Sequence, residues 1–405
     1  MGKDSAYYKE KYRKQREILD KLLTQLPDPA KELVEYKLQD SALSTLQSYC
    51  YDLRMFFTYY LARDDTKETS ISEIDYDVLN SIAPKIIESY QKQLEFTEDG
   101  ELRMLKKSVA RKMSPIRSMY DFHYQRQNIT NNPTRLVYLP RAAKDKAIVR
   151  MNSREVKALL KAVSTQSCFK RPRQKSYKKK TKQRDMAIFS LLLNTGIRLS
   201  ECIGLDLDDV DFRECSIAIV RKGGGLDIVY FNKDVKKLLK RYIKGERAVI
   251  EVNKDSSDAE ALFLSIQGKR MTPDAVERMV RSYTSRVIPN KHITPHKLRS
   301  TYGTALYRET HDIRLVAEVL GHENINTTIR YYAAFDDDRK KKAAELINMT
   351  RKEDVDAIDD NEDDITMKGI EKAEAITVEQ EEYNSIIKDV ISFTDRAARM
   401  KNSKK

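Results

Sequence analysis

The chain holds 405 residues, enough for two or three domains at roughly 100–200 residues each, and its 40% hydrophobic and 34% charged composition is that of a globular, well-solvated protein rather than a disordered tail. No apolar run approaches the roughly 20 residues that a membrane helix needs, which excludes a helical membrane protein. There are 75 Lys and Arg against 62 Asp and Glu, a formal +13 with an isoelectric point near 9.2, and this excess points to a polyanionic partner.

The charge is unevenly spread. Thirteen acidic and four basic residues give positions 351–382 a net −9, which leaves the rest of the chain at +22. The start, Met1-Gly2-Lys3-Asp4 and onward, is rich in Lys, Glu and Tyr and lacks the apolar core of a secretory signal, so a cytoplasmic protein is expected. Cys50, Cys168, Cys202 and Cys215 are scattered with no C-x-x-C pairing and no histidine nearby. Reduced thiols, without a zinc site or disulfide framework, are the reading.

Residues 1–35 read as a further helix or a loose arm. From a cap at Asp40 or Ser41, the apolar residues Leu43, Leu46, Cys50, Leu53, Phe56, Phe57 and Leu61 recur at three- and four-residue spacing and predict an amphipathic helix. Helical patterns follow over 74–96 and 102–126, separated by the Glu98-Asp99-Gly100 turn. The stretch 128–151 contains Asn131-Asn132-Pro133 and Leu139-Pro140, where missing donors and fixed φ angles oppose a continuous helix, and reads as an interdomain linker. Asn152 with Glu155 forms a capping box that opens the second domain.

Residues 169–184 carry nine Lys or Arg and no acid, a basic loop that serves equally as a solvated surface or as a phosphate contact. The alternating segments 216–221 and 226–231 flank Lys222-Gly223-Gly224-Gly225, a β-hairpin signal. Phe263-Leu264 reads as one more short strand, and helices are expected over 272–286, 295–309 and 313–320. Beyond the acidic stretch, Tyr383, Ile386, Ile387, Val390, Ile391 and Ala397 lie on one face of a final helix, and an isolated apolar face needs a partner.

Four segments carry the chemistry. In Thr195-Gly196-Ile197-Arg198-Leu199-Ser200-Glu201 an arginine follows a glycine turn, with a carboxylate three residues on; alone, this is an ordinary ion pair. Lys222 sits at the tip of a glycine turn, where a lysine is by itself unremarkable. His296 and Arg299 share one helical face at i and i+3, and Leu320-Gly321-His322 precedes Tyr331-Tyr332. Together, two arginines, a lysine, two histidines and a tyrosine meet the needs of phosphodiester cleavage by a phenol. Guanidinium forks bind the non-bridging oxygens and stabilise the charge of a pentacoordinate transition state, and a tyrosine can conserve the bond energy as a phosphotyrosine. Neither a G-x-x-x-x-G-K-[ST] nor an H-E-x-x-H sequence occurs, and no cofactor is expected.

In order and spacing, these segments resemble the tyrosine recombinase (phage integrase) family over roughly residues 40–350, and within it the Xer-type recombinases and mobile-element integrases. The resemblance implies a mainly α protein of the DNA breaking-rejoining fold. Residues 1–39 would form an N-terminal helical arm, 40–127 a helical core-binding domain, 128–151 a linker, 152–350 a mostly α catalytic domain with a small antiparallel sheet, and 351–405 an acidic tether and C-terminal helix. It implies Arg198, Lys222, His296, Arg299, His322 and Tyr331 as catalytic residues, with Glu201 orienting the site. Tyr331 is chosen as the nucleophile because it follows the L-G-H histidine by nine residues, with Tyr332 as the competitor. Arg221, beside Lys222, is a poor proton donor. Arg103, Lys106, Lys107, Arg111, Lys112 and Arg117 lie on a helix suited to a DNA groove, against the alternative of a solvated face. The implied activity is site-specific recombination through a 3′-phosphotyrosyl intermediate and a Holliday junction. A homotetramer would act on two duplexes with paired inverted half-sites, in a bacterial cytoplasm at the nucleoid, with the final helix docking in trans or folding back on its own core. A type IB topoisomerase and a non-catalytic DNA-binding protein of the same fold are the rival readings.

Overall fold

A computed structural model describes residues 5–138, 149–253 and 256–322 together with 324, 325, 328 and 329. All of them fall within one compact unit, residues 1–333. Tyr331, Tyr332, the acidic stretch and the final apolar helix lie outside the described residues. Among the described residues no helix is long and apolar enough to cross a membrane.

The buried apolar residues form two large clusters. The first is built by α1 (Ala6–Leu23), α2 (Asp28–Lys37), α3 (Leu43–Leu61), α4 (Tyr76–Ser81), α5 (Pro84–Glu95) and α6 (Lys106–Gln125). The three- and four-residue spacing works as expected in α3, which buries Leu46, Cys50, Leu53, Phe56 and Phe57, but the helix starts at Leu43 behind Ala42 and gains no side-chain cap from Asp40 or Ser41.

Of the two readings of residues 1–35, the helical one holds and the loose arm does not: Leu19, Leu22, Leu26, Leu33 and Val34 are buried in the same core as α3, because α1 and α2 carry apolar faces that need covering. Three other expectations need correction. The pattern over 74–96 is two helices, since Pro84 has no amide hydrogen to continue a ladder and instead opens α5 at its first position. The third helix begins at Lys106 rather than 102, because Phe96 and Leu102 pair across the intervening turn as an isolated bridge. The first part of the 128–151 stretch is packed: Ile129 and Val137 are buried in the first cluster, and the Asn80 Oδ1 accepts from the Thr130 and Asn131 amides.

The second cluster gathers α7 (Ser153–Thr165), α9 (Lys182–Thr195), α10 (Leu199–Ile203), α11 (Lys233–Lys244) and α12 (Pro273–Val287), with α8 (Pro172–Lys179) between α7 and α9, and is followed by α13 (Pro295–Thr310) and α14 (Ile313–Leu320). The capping box forms as its residue types dictate, with the Glu155 amide donating to Asn152 Oδ1 at 2.8 Å and the Asn152 amide donating to Glu155 Oε2 at 2.7 Å. The sheet is antiparallel, in the order β1 (Val210–Asp211), β2 (Ser216–Val220), β3 (Leu226–Tyr230), with Val220 opposite Leu226 at the hairpin end. Phe263-Leu264 makes only an isolated bridge, from Leu264 to Arg270. The N-terminal helix also reaches the second cluster: the Tyr7 ring lies 4.1 Å from the Arg270 guanidinium, and Ser257 donates to Glu10.

The basic segment 169–184 contains a helix, α8, and not only a loop. One of its cations, Lys178, is buried. Its ammonium donates to Asp185 Oδ2 at 2.8 Å and lies 4.3 Å from the Tyr283 ring, while Arg184 holds the other carboxylate oxygen. A buried carboxylate facing two buried cations is costly to remove, since both charges are then stranded. Asp185→Ala should therefore lower unfolding stability by about 3–5 kcal/mol, measured by urea denaturation; a loss below about 1 kcal/mol would contradict this account.

Candidate active site

The site is assembled where the ends of α9 and α14 meet the first turns of α10 and α13. Helix α9 stops at Thr195 because Gly196 turns left-handed at φ +63°, and a side chain is excluded there: a Cβ would come within 2.4 Å of the Tyr302 ring. Ile197 is then buried, which throws Arg198 to the N-cap of α10. Helix α14 ends the same way at Gly321, φ +59°, which delivers His322.

Arg198 donates from Nη1 to Glu201 Oε1 at 2.8 Å and from Nη2 to the Gly321 carbonyl at 2.9 Å. Glu201 is only 2% exposed, and its second oxygen accepts from the Arg198 amide at 2.7 Å and from Arg221 Nη1 at 3.3 Å. Arg299 is buried on α13 and donates to the carbonyls of Gly196, at 2.6 Å, and Leu320. Both guanidiniums are thus held by helix-end carbonyls, which carry the negative end of the helix dipole. Beside them opens a pocket of about 460 Å³ lined by Ile197, Arg198, Pro273, Glu277, His296 and Arg299.

His296 lies on the exposed side of the first turn of α13, yet its place in the pocket lowers its pKa, through desolvation first and then through Arg299, Lys297 and Arg198. His322 is half-buried, its Nδ1 2.8 Å from the Oγ1 of buried Thr328. Desolvation, followed by Arg299, Arg198, His296 and Arg221, pushes its pKa down to about 4. Lys222 is exposed on the hairpin turn, where Gly223 and Gly224 take φ +100° and +90°. Among the described residues no group of three His, Cys, Asp or Glu side chains could hold a metal ion.

Arg198, Glu201, His296, Arg299 and His322 therefore surround one place, with Lys222 on the adjoining hairpin and Tyr331 outside the described residues. The six cations of the 103–117 segment divide differently. Arg103, Lys106 and Lys107 are exposed; Arg111 is exposed but paired at 3.0 Å with Asp52. Lys112 pairs at 2.9 Å with the same buried carboxylate, and Arg117 donates to the Thr134 and Val137 carbonyls, so both hold the first cluster together. Three participants escaped the sequence reading. Thr328 and the carbonyls of Leu320 and Gly321 act through positions that residue type does not reveal. Arg221 did leave a signal, a cation six residues before Asp227 across a glycine turn.

Residues 149–338 match the model of the phage integrase family. The chain is 30% identical over 310 residues to tyrosine recombinase XerC of Caldanaerobacter subterraneus subsp. tengcongensis, covering 74% of this chain and 80% of that protein. It is 31% identical over 298 residues to tyrosine recombinase XerC of Thermodesulfovibrio yellowstonii, covering 73% and 87%. In fold it is similar to the Tn1549 transposon integrase in complex with transposon right end DNA, with a TM-score of 0.57 at 19% identity, covering 78% of this chain and 98% of that one. The XerH site-specific recombinase bound to a palindromic difH substrate gives a TM-score of 0.53 at 19% identity, covering 76% and 81%. With Arg198, Arg299 and His296 lining one pocket, and Glu201 and His322 beside the same arginines, the chain belongs to the phage integrase family and is a tyrosine-type site-specific recombinase.

Proposed function

We propose that this recombinase cuts and rejoins double-stranded DNA through a 3′-phosphotyrosyl bond on Tyr331, as a homotetramer on two duplexes with inverted half-sites. The observation that carries the reading is the meeting of Arg198, Arg299 and His296 at one pocket, with His322 close to the same arginines, a set of groups that matches a phosphate in charge and donors. The Tyr331 oxygen attacks phosphorus as its proton passes to His296, whose charged form is disfavoured beforehand by desolvation and then by Arg299, Lys297 and Arg198. The bond from phosphorus to the 5′-oxygen breaks, and Lys222 supplies the proton to that oxygen. Arg198 and Arg299 bind the non-bridging oxygens. The Thr328 hydroxyl, 2.8 Å from Nδ1, can donate to that nitrogen; in this tautomer His322 carries its proton on Nε2 and donates to the same phosphate. Attack by the 5′-hydroxyl of the partner duplex reverses the chemistry and leaves a Holliday junction.

Sequence-independent grip would come from exposed cations. Arg103, Lys106, Lys107 and Arg111 supply them on one side, and Lys170, Arg171, Arg173, Lys175, Lys179 and Lys180 of the basic segment on the other. Lys112 and Arg117 are left out of that set because they are bonded within the protein and, unlike Arg111, are also partly buried.

Tyr331→Phe should abolish covalent attachment to a nicked suicide duplex and leave half-site binding within about twofold, while Tyr332→Phe keeps cleaving. Mapping the adduct to Tyr332 would overturn the assignment, and supercoil relaxation with no strand exchange would favour a topoisomerase. Lys222→Ala should slow cleavage by roughly 10²–10⁴-fold, and a 5′-bridging sulfur, whose thiolate leaves without a proton, should restore most of that rate. Failure of the sulfur substrate to help would place the acid elsewhere.

The depressed pKa of His322 also makes a stability prediction. An unfolded histidine takes up its proton near 6.5, whereas the native group resists until about 4, so between these values the unfolded state binds more protons and stability falls as pH is lowered. His322→Gln removes this contribution, and its melting temperature should decline less steeply from pH 6.5 to 4 than that of the unsubstituted protein. Parallel declines would contradict it.

A further inference from the structure

Arg221 has no role in the chemistry proposed above, yet it is among the most fully engaged side chains near the site. It directly follows β2 and precedes Lys222, and its main chain closes the turn: its amide donates to the Gly225 carbonyl at 2.7 Å, and its carbonyl accepts from the Gly224 amide at 3.0 Å. Its side chain, 12% exposed, leaves the hairpin and spans to other elements. Nε donates to Asp227 Oδ2 at 2.8 Å, within the hairpin. Nη1 reaches Glu201 Oε2 at 3.3 Å and the Leu320 carbonyl at 3.4 Å, and Nη2 reaches the Val319 carbonyl at 3.1 Å. Gly321 packs on the same group so closely that a Cβ there would lie 2.6 Å from Nε.

One planar fork therefore joins the base of the hairpin, the carboxylate that orients Arg198, and the final carbonyls of α14. The tip beyond it has no such support: nothing lies within 4 Å of where a Cβ would stand on Gly223, Gly224 or Gly225. An exposed lysine on three glycines pays a large entropy cost to hold one position, and that cost falls if the base of the turn is fastened. We propose that Arg221 is a positioning residue: its guanidinium clamps the Lys222 hairpin to the end of α14, so that Lys222 and His322 are presented to the phosphate as one body. Lysine cannot replace it, because a single ammonium cannot span acceptors on both sides of a planar fork. The inference rests on the assignment of Lys222 as general acid, but its mechanical half stands apart from it.

The test compares Arg221→Ala and Arg221→Lys with the unsubstituted full chain in two measurements. In amide hydrogen exchange, both variants should exchange about tenfold faster at 216–230 and at 317–322 together, with α9 and α12 unchanged. Faster exchange at only one of the two segments, or at neither, overturns the clamp, and global loosening that includes α9 and α12 reduces Arg221 to a stabilising residue and also overturns it. In cleavage of a nicked suicide duplex, both variants should lose about 10–100-fold with the ordinary 5′-oxygen and regain most of it with the 5′-bridging sulfur, because only the proton delivery is misplaced. Equal loss on both substrates, or full activity of Arg221→Lys, overturns the positioning role. If Lys222→Ala is itself not rescued by sulfur, the acid assignment fails, while the exchange measurement still decides the clamp.

Discussion

A site that grips phosphate must hold several cations close together before the phosphate arrives, and like charges about 4 Å apart repel by on the order of 4 kcal/mol near a protein surface. The structure meets this constraint with one buried carboxylate and a set of backbone carbonyls. Glu201 lies between Arg198 and Arg221, and the carbonyls of Gly196, Val319, Leu320 and Gly321 accept from the three guanidiniums. Neither kind of partner removes the positive charge of the site. Glu201, together with the more exposed Asp227 that accepts from Arg221 Nε, offsets two cations of the three, and the carbonyls contribute only partial charges, so one positive charge of the three remains while the arginines stay ordered.

The supply of carbonyls depends on how two helices end. The last carbonyls of a helix have no intrahelical partner and carry its negative dipole end, which makes them natural seats for guanidinium. Helices α9 and α14 both finish on a left-handed glycine, Gly196 and Gly321, and both glycines lie where a side chain would collide with a neighbour. The glycines therefore do two things at once: they stop the helices and admit the packing that brings the two ends together. Substitution at either would disturb charge placement as well as backbone conformation, which couples local chain geometry to the electrostatics of the pocket.

The same concentration of cations sets the protonation of the histidines. Burial and the arginines both disfavour a charged imidazole, so His296 and His322 are depressed together, and His322 is locked further by its contact with Thr328. A neutral histidine adds nothing to the repulsion among fixed cations until it accepts a proton. The arginines thus add to burial in keeping both histidines neutral.

Much of this was legible in the chain. Helix patterns in α3, α7 and α12–α14, the glycine hairpin, and the spacing of Arg198, Glu201, His296, Arg299 and His322 follow from local periodicity, capping and turn chemistry, which act over a few residues and are written in residue type. Other features depended on contacts far apart in sequence. Whether α1 and α2 were a loose arm or part of a core turned on burial against α3; whether Lys178 was a surface cation turned on Asp185 and Tyr283; and Lys112 and Arg117 were drawn inward by Asp52 and by two carbonyls. A lysine or arginine has the same letter whether it faces solvent or a buried partner, and a carbonyl has no letter at all. The sequence by itself determined which chemical groups this protein would use and in what order along the chain. Only the tertiary structure decided which cations remain available to a phosphate, because that depends on partners up to a hundred residues or more away, as Gly321 is from Arg198.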